Sequence, residues 1–360
     1  MVLYLWRWDA DAGVYTKRLA VDTASSVIWI SKYNEPGEFE VYIRDDSGVL
    51  GTAYAWPDEC IITRDDSDTA MIVDKVDAVS DAENGDYITI SGKSAENILK
   101  RRVVSYQFNF SGTAENCIRQ LITDNMINAY EPNRNITGLT LGTAQGYNDN
   151  VDCQFLGENL LDIVQGICEK FGYGFRIKFN GSFVFELYKG TDRSENQSEN
   201  PRLIFSHEMQ NVASIEWDFD KTQLRNFAAV GGEGEGFARK IQPVYTSAQA
   251  PASLLRREMW VDASGISSKV DGGDLPESDY RALLTDAGKT ELAENGWRWI
   301  MNMEALQVPG YMYGVDYFLG DKVTTRAKHF SSGITSRVSE VTQVEDESGI
   351  RVIPKFKYEG

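Results

Sequence analysis

The sequence predicts a mainly β protein with an α+β part: two similar antiparallel β-barrel domains, an α+β module and a helical insertion. Three observations carry that expectation. The first is a meander near the end of the chain. Asp321–Arg326, Ile334–Val341 and Ile350–Ile353 alternate β-branched with polar residues, Ser331-Ser332-Gly333 and Glu345 to Gly349 supply turns, and Pro354 closes the third run. The second is an earlier copy. Shifted by 262 positions, Glu59–Gly92 falls on Asp321–Pro354 without a gap. Thr63-Arg64 then meets Thr325-Arg326, Ile72 meets Ile334, Val76 meets Val338, Val79 meets Val341, Glu83 meets Glu345, Ile88 meets Ile350 and Ile61 meets Val323. Any two meanders share a period of two, so some matches are free. An ungapped register over three strands and both turns is the stronger signal, and it puts Val76 and Val338 at equivalent inward positions. The third observation is a change of period in mid-chain, from alternation to helical spacing and back.

In chain order, Val2–Trp8 reads as a strand with Leu3 and Leu5 on the face opposite Tyr4, Trp6 and Trp8. Val27–Ile30 is a second apolar run. Pro36-Gly37 makes a turn, after which Phe39, Val41 and Ile43 alternate with Glu38, Glu40 and Tyr42. With the first meander these form a small barrel over residues 1–100. Ser94 is placed to cap a short helix through Leu99, and Thr113 a clearer one with Ala114, Cys117, Ile118, Leu121 and Ile122 on one face. Leu160, Ile163, Val164, Ile167, Cys168 and Phe171 repeat that face, and Gly172 stands where a C-cap glycine belongs. A hairpin follows, Phe175, Ile177 and Phe179 before Asn180-Gly181 and Phe183, Phe185 and Leu187 after it. Residues 101–205 are therefore an α+β module, ending in a polar loop or linker, Lys189–Arg202, with almost nothing to bury. The second barrel domain takes residues 206–360. Val212–Phe219 and Arg225–Val230 open it, Gly231–Gly236 is an acidic turn, and Thr246–Ser253 is loop. A helix capped by Ser278 (near 278–296, Tyr280, Leu283, Leu284 and Ala287 inward) is inserted before the strand Trp297–Val308.

Composition narrows function. The chain has 360 residues, a net charge of −18 and 42% hydrophobic residues. That charge argues against binding nucleic acid through its phosphates and against an anionic membrane surface. Met1–Trp8 lacks a basic region and is too short for a signal peptide, and no window is long enough to span a membrane. Cys60, Cys117, Cys153 and Cys168 show no CxxC spacing, so a reduced chain is expected.

Motifs for chemistry are weak. Gly92-Lys93-Ser94 between a strand and a helix invites a phosphate-loop reading, but the loop's first glycine is replaced by Tyr87. His207 and His329 are isolated, which argues against zinc. Asp45-Asp46, Asp65-Asp66-Ser67-Asp68 and Glu345-Asp346-Glu347 sit in predicted turns. Paired carboxylates with aromatic platforms would suit a carbohydrate-binding or glycan-hydrolysing protein, the alternative reading. Turn carboxylates in so acidic a chain are more often solvated. No catalytic, metal or cofactor-binding residue is assigned, and no cofactor is expected.

Tyr33 with Pro36-Gly37-Glu38-Phe39, Gly92-Lys93-Ser94 through Leu99 with Arg102, and above all Tyr313-Gly314-Val315-Asp316-Tyr317-Phe318-Leu319-Gly320-Asp321-Lys322-Val323 carry a resemblance. So do Arg337-Val338 and Pro354-Lys355-Phe356. Together they resemble the tail-tip or baseplate hub proteins of long-tailed phages, related to the contractile-phage baseplate hub and to the amino-terminal part of tail-associated lysins. The resemblance implies a virion structural protein rather than an enzyme. It implies a homotrimer of pseudo-sixfold symmetry joining the sixfold tail tube to the threefold tip and forming part of the DNA channel. The partners implied are a distal tail or tail-tube protein and a tape measure protein or tip fibre proteins. Neither specific nucleic-acid binding nor direct membrane insertion is implied. Its place would be the virion tail tip, after assembly in the bacterial host cytoplasm. The chain stops at Gly360, so activities borne on extensions in that family are not expected here.

Overall fold

Alternation along Leu3–Asp9 (β1) sends Leu3 and Leu5 into one core and Trp6 into another, so this strand divides two hydrophobic interiors. The structure, a computed structural model, describes residues 1–44, 48–54, 59–81, 85–270, 273–328 and 333–358. Asp45, Asp46, Glu83, His329, Ser331 and Ser332 lie outside the described residues. Val14–Val21 (β2) folds back on β1, a strand hidden in the sequence because Lys17 and Arg18 interrupt its apolar pattern. Ala24–Lys32 (β3), Glu38–Arg44 (β4), a short helix Val49–Ala53 (α1), Cys60–Arg64 (β5), Ala70–Asp81 (β6) and Gly85–Ser94 (β7) follow. Val21, Trp29, Val41, Ile43, Ile62, Met71 and Ile90 from these strands share the core of Leu3 and Leu5. Residues of β1 and β4 meet in one core only if the sheet curls on itself, which makes this a barrel-like unit.

The middle of the chain adds a 3₁₀ turn, Ala95–Arg101, then Phe108–Thr113 (β8), Ala114–Ile122 (α2), Leu139–Leu141 (β9), Asn150–Phe155 (β10), Leu160–Phe171 (α3), Gly174–Phe179 (β11) and Phe183–Tyr188 (β12). Thr113 caps α2 through the Asn116 amide, and α3 ends on left-handed Gly172 at φ 65°. Ser94 does not cap its turn; its hydroxyl accepts from the Gly37 amide at 2.7 Å and ties β7 to the Pro36-Gly37 corner. Trp6, Ile61, Ala70 and Ile72 join the core of α2, α3 and the β11–β12 hairpin, so the module is fused to the first barrel. Lys189–Arg202 is not a loose linker. Ser194 is buried, and the Thr191 and Glu195 amides donate to Asp321 and Thr324.

The last part comprises Ile204–Phe205 (β13), Val212–Asp220 (β14), Phe227–Gly231 (β15), Ile241–Tyr245 (β16), Glu258–Asp262 (β17), Lys269–Val270 (β18), Gly273–Asp274 (β19), Glu277–Glu294 (α4), Arg298–Ala305 (β20), Lys322–Thr325 (β21), Ile334–Asp346 (β22) and Gly349–Tyr358 (β23). β15 does not open the second barrel, as its sequence position suggested. It pairs with β16 and β17 beneath α4, around a core of its own that includes Ala228, Val230, Val244, Val261, Tyr280 and Leu284. The insertion is therefore a small α/β unit, larger than the helix alone. That helix starts at Glu277 after Pro276, and Ser278 bonds Asp279 instead of capping. Pro354 does not close its strand. It sits opposite Val341, where the pairing of β23 with β20 is interrupted between Lys355 and Val352, so no ladder donor is needed.

One sheet runs through both barrels in the order β14-β20-β23-β22-β3-β4-β7-β6-β5-β1-β2, with β21 on β22. It contains a repeat. The series β3-β4-β7-β6-β5 has the same connectivity as β14-β20-β23-β22-β21. Both nine-residue opening strands carry a bulge at the same step, Ala24/Ser26 and Val212/Ser214, which superposes Trp29 on Trp217. Bulges at Val73/Lys75 and Val338/Glu340 match likewise. They correct the ungapped shift of 262 positions: Val338 falls on Val73, Val341 on Val76 and Val323 on Ile62. Loops of unequal length offset one another between the copies, so a single ungapped shift slips β22 on β6 by three positions and β21 on β5 by one, which reverses the facing it assigned.

Candidate assembly site

The two barrels are joined edge to edge. Glu340–Asp346 of β22 lies antiparallel on Ser26–Lys32 of β3, with Glu340 opposite Lys32, Gln343 opposite Trp29 and Asp346 opposite Ser26. The Tyr33 amide extends the ladder to the Ser339 carbonyl at 2.9 Å. Covering an edge in this way removes unpaired backbone groups from water and fixes the angle between the barrels.

Tyr33 locks the seam. Its hydroxyl donates to the Gly172 carbonyl at 3.0 Å, with the Tyr188 carbonyl at 3.3 Å, while Arg337 Nη1 donates to the hydroxyl at 3.3 Å and to the Gly320 carbonyl at 3.0 Å. The Arg337 guanidinium lies 4.9 Å from the Tyr33 ring centre. Burial pushes the Tyr33 phenol up to about 12, against the pull of Arg337. A Cβ at Gly174 or at Gly320 would stand 2.3 Å from this ring, so both glycines are required by close approach, and Gly320 also by its φ of 92°. First barrel, middle module and second barrel thus meet on one side chain.

Asp321, next to Gly320, is 2% exposed. Its carboxylate accepts from the Thr191 amide at 2.7 Å, Arg193 Nε at 2.9 Å and the Phe318 amide at 3.1 Å. The Leu-Gly-Asp-Lys-Val stretch is therefore a structural clasp, its glycine fitted to Tyr33 and its aspartate holding the 189–202 segment.

Five of the turn carboxylates of the carbohydrate reading are engaged. Asp66 takes both Arg64 Nε and Nη2, Asp65 accepts from the Val2 amide, Asp68 pairs with Lys178, Glu345 with the Met1 ammonium and Asp346 with Arg351. Each is matched to a cation or an amide, not to a second carboxylate. Among the described residues no group of three His, Cys, Asp or Glu is arranged to hold a metal, and no helix is long and apolar enough to cross a membrane. His207 is exposed in a turn. A cleft of about 860 Å³ lined by Arg64, Arg176, Lys178, Tyr313 and Asp321 separates the first barrel from the Tyr313–Phe318 loop; Arg64, Arg176, Lys178 and Asp321 are all ion-paired.

Two edges remain. β14 ends the sheet with β20 on one side, and β6 beyond Val73 carries only β7. Val79 on β6 and Trp217 and Phe219 on β14 are 61%, 43% and 48% exposed. The sequence showed Val212–Phe219 as a strand, and its aromatic and acidic alternation was the one available sign that this strand stands at an edge.

A repeated pair of barrels fused through one sheet, with a module clamped at the joint, is a fold this chain shares with solved tail proteins. The chain belongs to the family of Siphovirus ReqiPepy6 Gp37-like proteins, whose profile matches residues 4–356. Its fold is similar to that of the tail protein from Neisseria meningitidis MC58, at 14% identity and a TM-score of 0.56 over 99% of this chain and 97% of that one. It is also similar to the 43 kDa tail protein of prophage MuSo2 from Shewanella oneidensis (12% identity, 99% and 98% covered, TM-score 0.54). The prophage tail protein gp18 from Listeria monocytogenes EGD-e is a third (12%, 98% and 94%, TM-score 0.52). No curated protein matches the chain.

Proposed function

We propose that the chain is the structural hub of a phage tail tip, three copies closing a ring in which six like barrels surround the tail axis. The observation that carries this reading is the internal repeat: one chain already holds two equivalent units side by side in a single sheet. A threefold ring of such chains has pseudo-sixfold symmetry, and so docks onto a sixfold tube above while presenting a threefold face below. A distal tail or tail-tube protein is the partner above. A tape measure protein or tip fibre proteins are the partners below. In this reading the barrel strands within residues 1–100 and 206–360 form the ring and 101–205 sits outside or above it. With a net charge of −18, the bore would repel DNA in transit rather than bind it. Assembly would take place in the host cytoplasm, and the chain would perform no catalysis. Electron microscopy of the particle tests the reading: three copies around the tail axis are expected, and one copy or six equivalent copies would end it. Incubation with cell-wall glycans and peptides should release no product; sustained turnover abolished by one Asp or Glu substitution would overturn the non-catalytic role.

A further inference from the structure

We propose that the open edge of β6, Lys75–Asp81, pairs with β14, Ser214–Asp220, of a second copy of this chain, in the register that β22 and β3 display within one copy. The inference rests on the hub reading for the number of copies, but its register comes from the internal repeat alone. β6 is the counterpart of β22, aligned by the bulges after Val73 and Val338. β14 is the counterpart of β3, aligned by the bulges after Ala24 and Val212. Within the chain β22 and β3 cover each other over seven residues on each strand. Among the described residues, Lys75–Asp81 and Ser214–Asp220 have no strand on the corresponding side.

Transferring the observed pairs gives the contact residue by residue. Glu340 opposite Lys32 becomes Lys75 opposite Asp220, so the opposite charges exchange strands and remain matched. Val341 opposite Ser31 becomes Val76 opposite Phe219, and Gln343 opposite Trp29 becomes Ala78 opposite Trp217. The small Ala78 leaves room for the indole, as cross-strand packing requires. Asp77 would face Asp218, an unfavourable pair. Lys75, whose ammonium lies 2.5 Å from Asp77 in the isolated chain, stands beside it on the same face. Trp29 is 1% exposed, with the Arg64 guanidinium 5.4 Å from its ring, whereas its counterpart Trp217 is 43% exposed. Phe219 packs against Trp297 and Trp299 at 5.5 and 6.3 Å, which pre-orders an aromatic anchor at this edge.

The two edges differ, so the contact is head to tail and closes into a ring only if successive rotations complete a turn. Each chain contributes one internal step, β22 to β3, and one external step, β6 to β14.

The test uses the full-length chain carrying Lys75→Cys and Asp220→Cys, treated with a short bis-maleimide at the highest soluble concentration, beside an out-of-register control, Lys75→Cys with Ile215→Cys. The four native cysteines are buried and should stay unmodified. A covalent trimer from the first pair and none from the control is the expected result. A trimer by sedimentation without the in-register cross-link would overturn the strand pairing and leave the hub ring standing. A covalent ladder beyond three copies would support the pairing and overturn the threefold ring. A monomer with no cross-link would overturn the pairing. As an independent measurement, Trp217→Ser should weaken self-association by about tenfold or more while leaving the monomer folded, since an aromatic anchor dominates such contacts.

Discussion

Arg337 and Tyr33, 304 residues apart, form a stacked and hydrogen-bonded pair at the joint of three units. Tyr33→Phe removes a hydroxyl that serves the Gly172 and Tyr188 carbonyls and the Arg337 guanidinium. Leaving those groups without that partner is expected to cost ~1–3 kcal/mol. Gly320→Ala should cost at least as much, because strain at positive φ adds to the clash with the ring. Thermal unfolding followed by near-ultraviolet circular dichroism, which reads buried aromatics, checks both. Unchanged midpoints would show that the joint contributes nothing.

Asp321→Asn is expected to release the 189–202 segment. The amide keeps one acceptor oxygen where the carboxylate uses both, and Arg193 loses its charged partner in a buried place. A loss of ~2–5 kcal/mol should accompany new trypsin cleavage at Arg193 or Arg202 under native conditions. Cleavage no faster than in the parent protein would count against the clasp.

Glu294 sets a pH dependence. It lies at the end of α4 against Gly166 of α3, and burial, then the carboxylates of Glu291, Asp162 and Glu169, push its pKa up to about 7 from the ordinary 4.5. A raised carboxyl pKa means that the folded chain holds the proton more tightly than the unfolded one. Its contribution is therefore full below about pH 4.5 and is lost as pH rises through 7. Glu291, also raised by burial, acts in the same sense. Hydrogen exchange at the C-terminal turns of α4 should accelerate from pH 5 to pH 8 beyond the intrinsic rate, and Glu294→Gln should reduce that excess to the part that Glu291 contributes. Equal acceleration in the variant would refute the assignment.

The cysteines should behave as core residues. Cys60, Cys117, Cys153 and Cys168 are all buried, and burial pushes the Cys60 thiol up to about 12. Native protein is expected to react with Ellman's reagent only at the rate of global unfolding. A fast-reacting equivalent before unfolding would contradict this.

Residues whose partners are close in sequence could be read without the structure. The α2 and α3 faces, the Gly172 cap and the β11–β12 hairpin follow from periodicity and turn chemistry, which are local. The duplication was visible as well, because a repeated meander repeats its pattern. Its register was not: the loops between strands differ in length, and only hydrogen-bonded bulges identify Val73 as the partner position of Val338. β2 escaped notice because its exposed Lys17 and Arg18 mask the alternation.

The chain's charge, its β-rich character and its two meanders were determined by sequence alone, since each depends on residue type and short spacing. Tertiary structure decided what those meanders do. It placed β15 in an inserted unit rather than a barrel, turned the 189–202 segment into a clasped loop, and set β22 on β3 so that two barrels share one sheet. Strand order, edge pairing and the meeting of Tyr33, Gly320 and Arg337 depend on contacts between residues hundreds of positions apart. Such contacts leave no period in the sequence, because burial against a distant partner and the backbone hydrogen bonds of a sheet edge are not encoded by neighbouring residues.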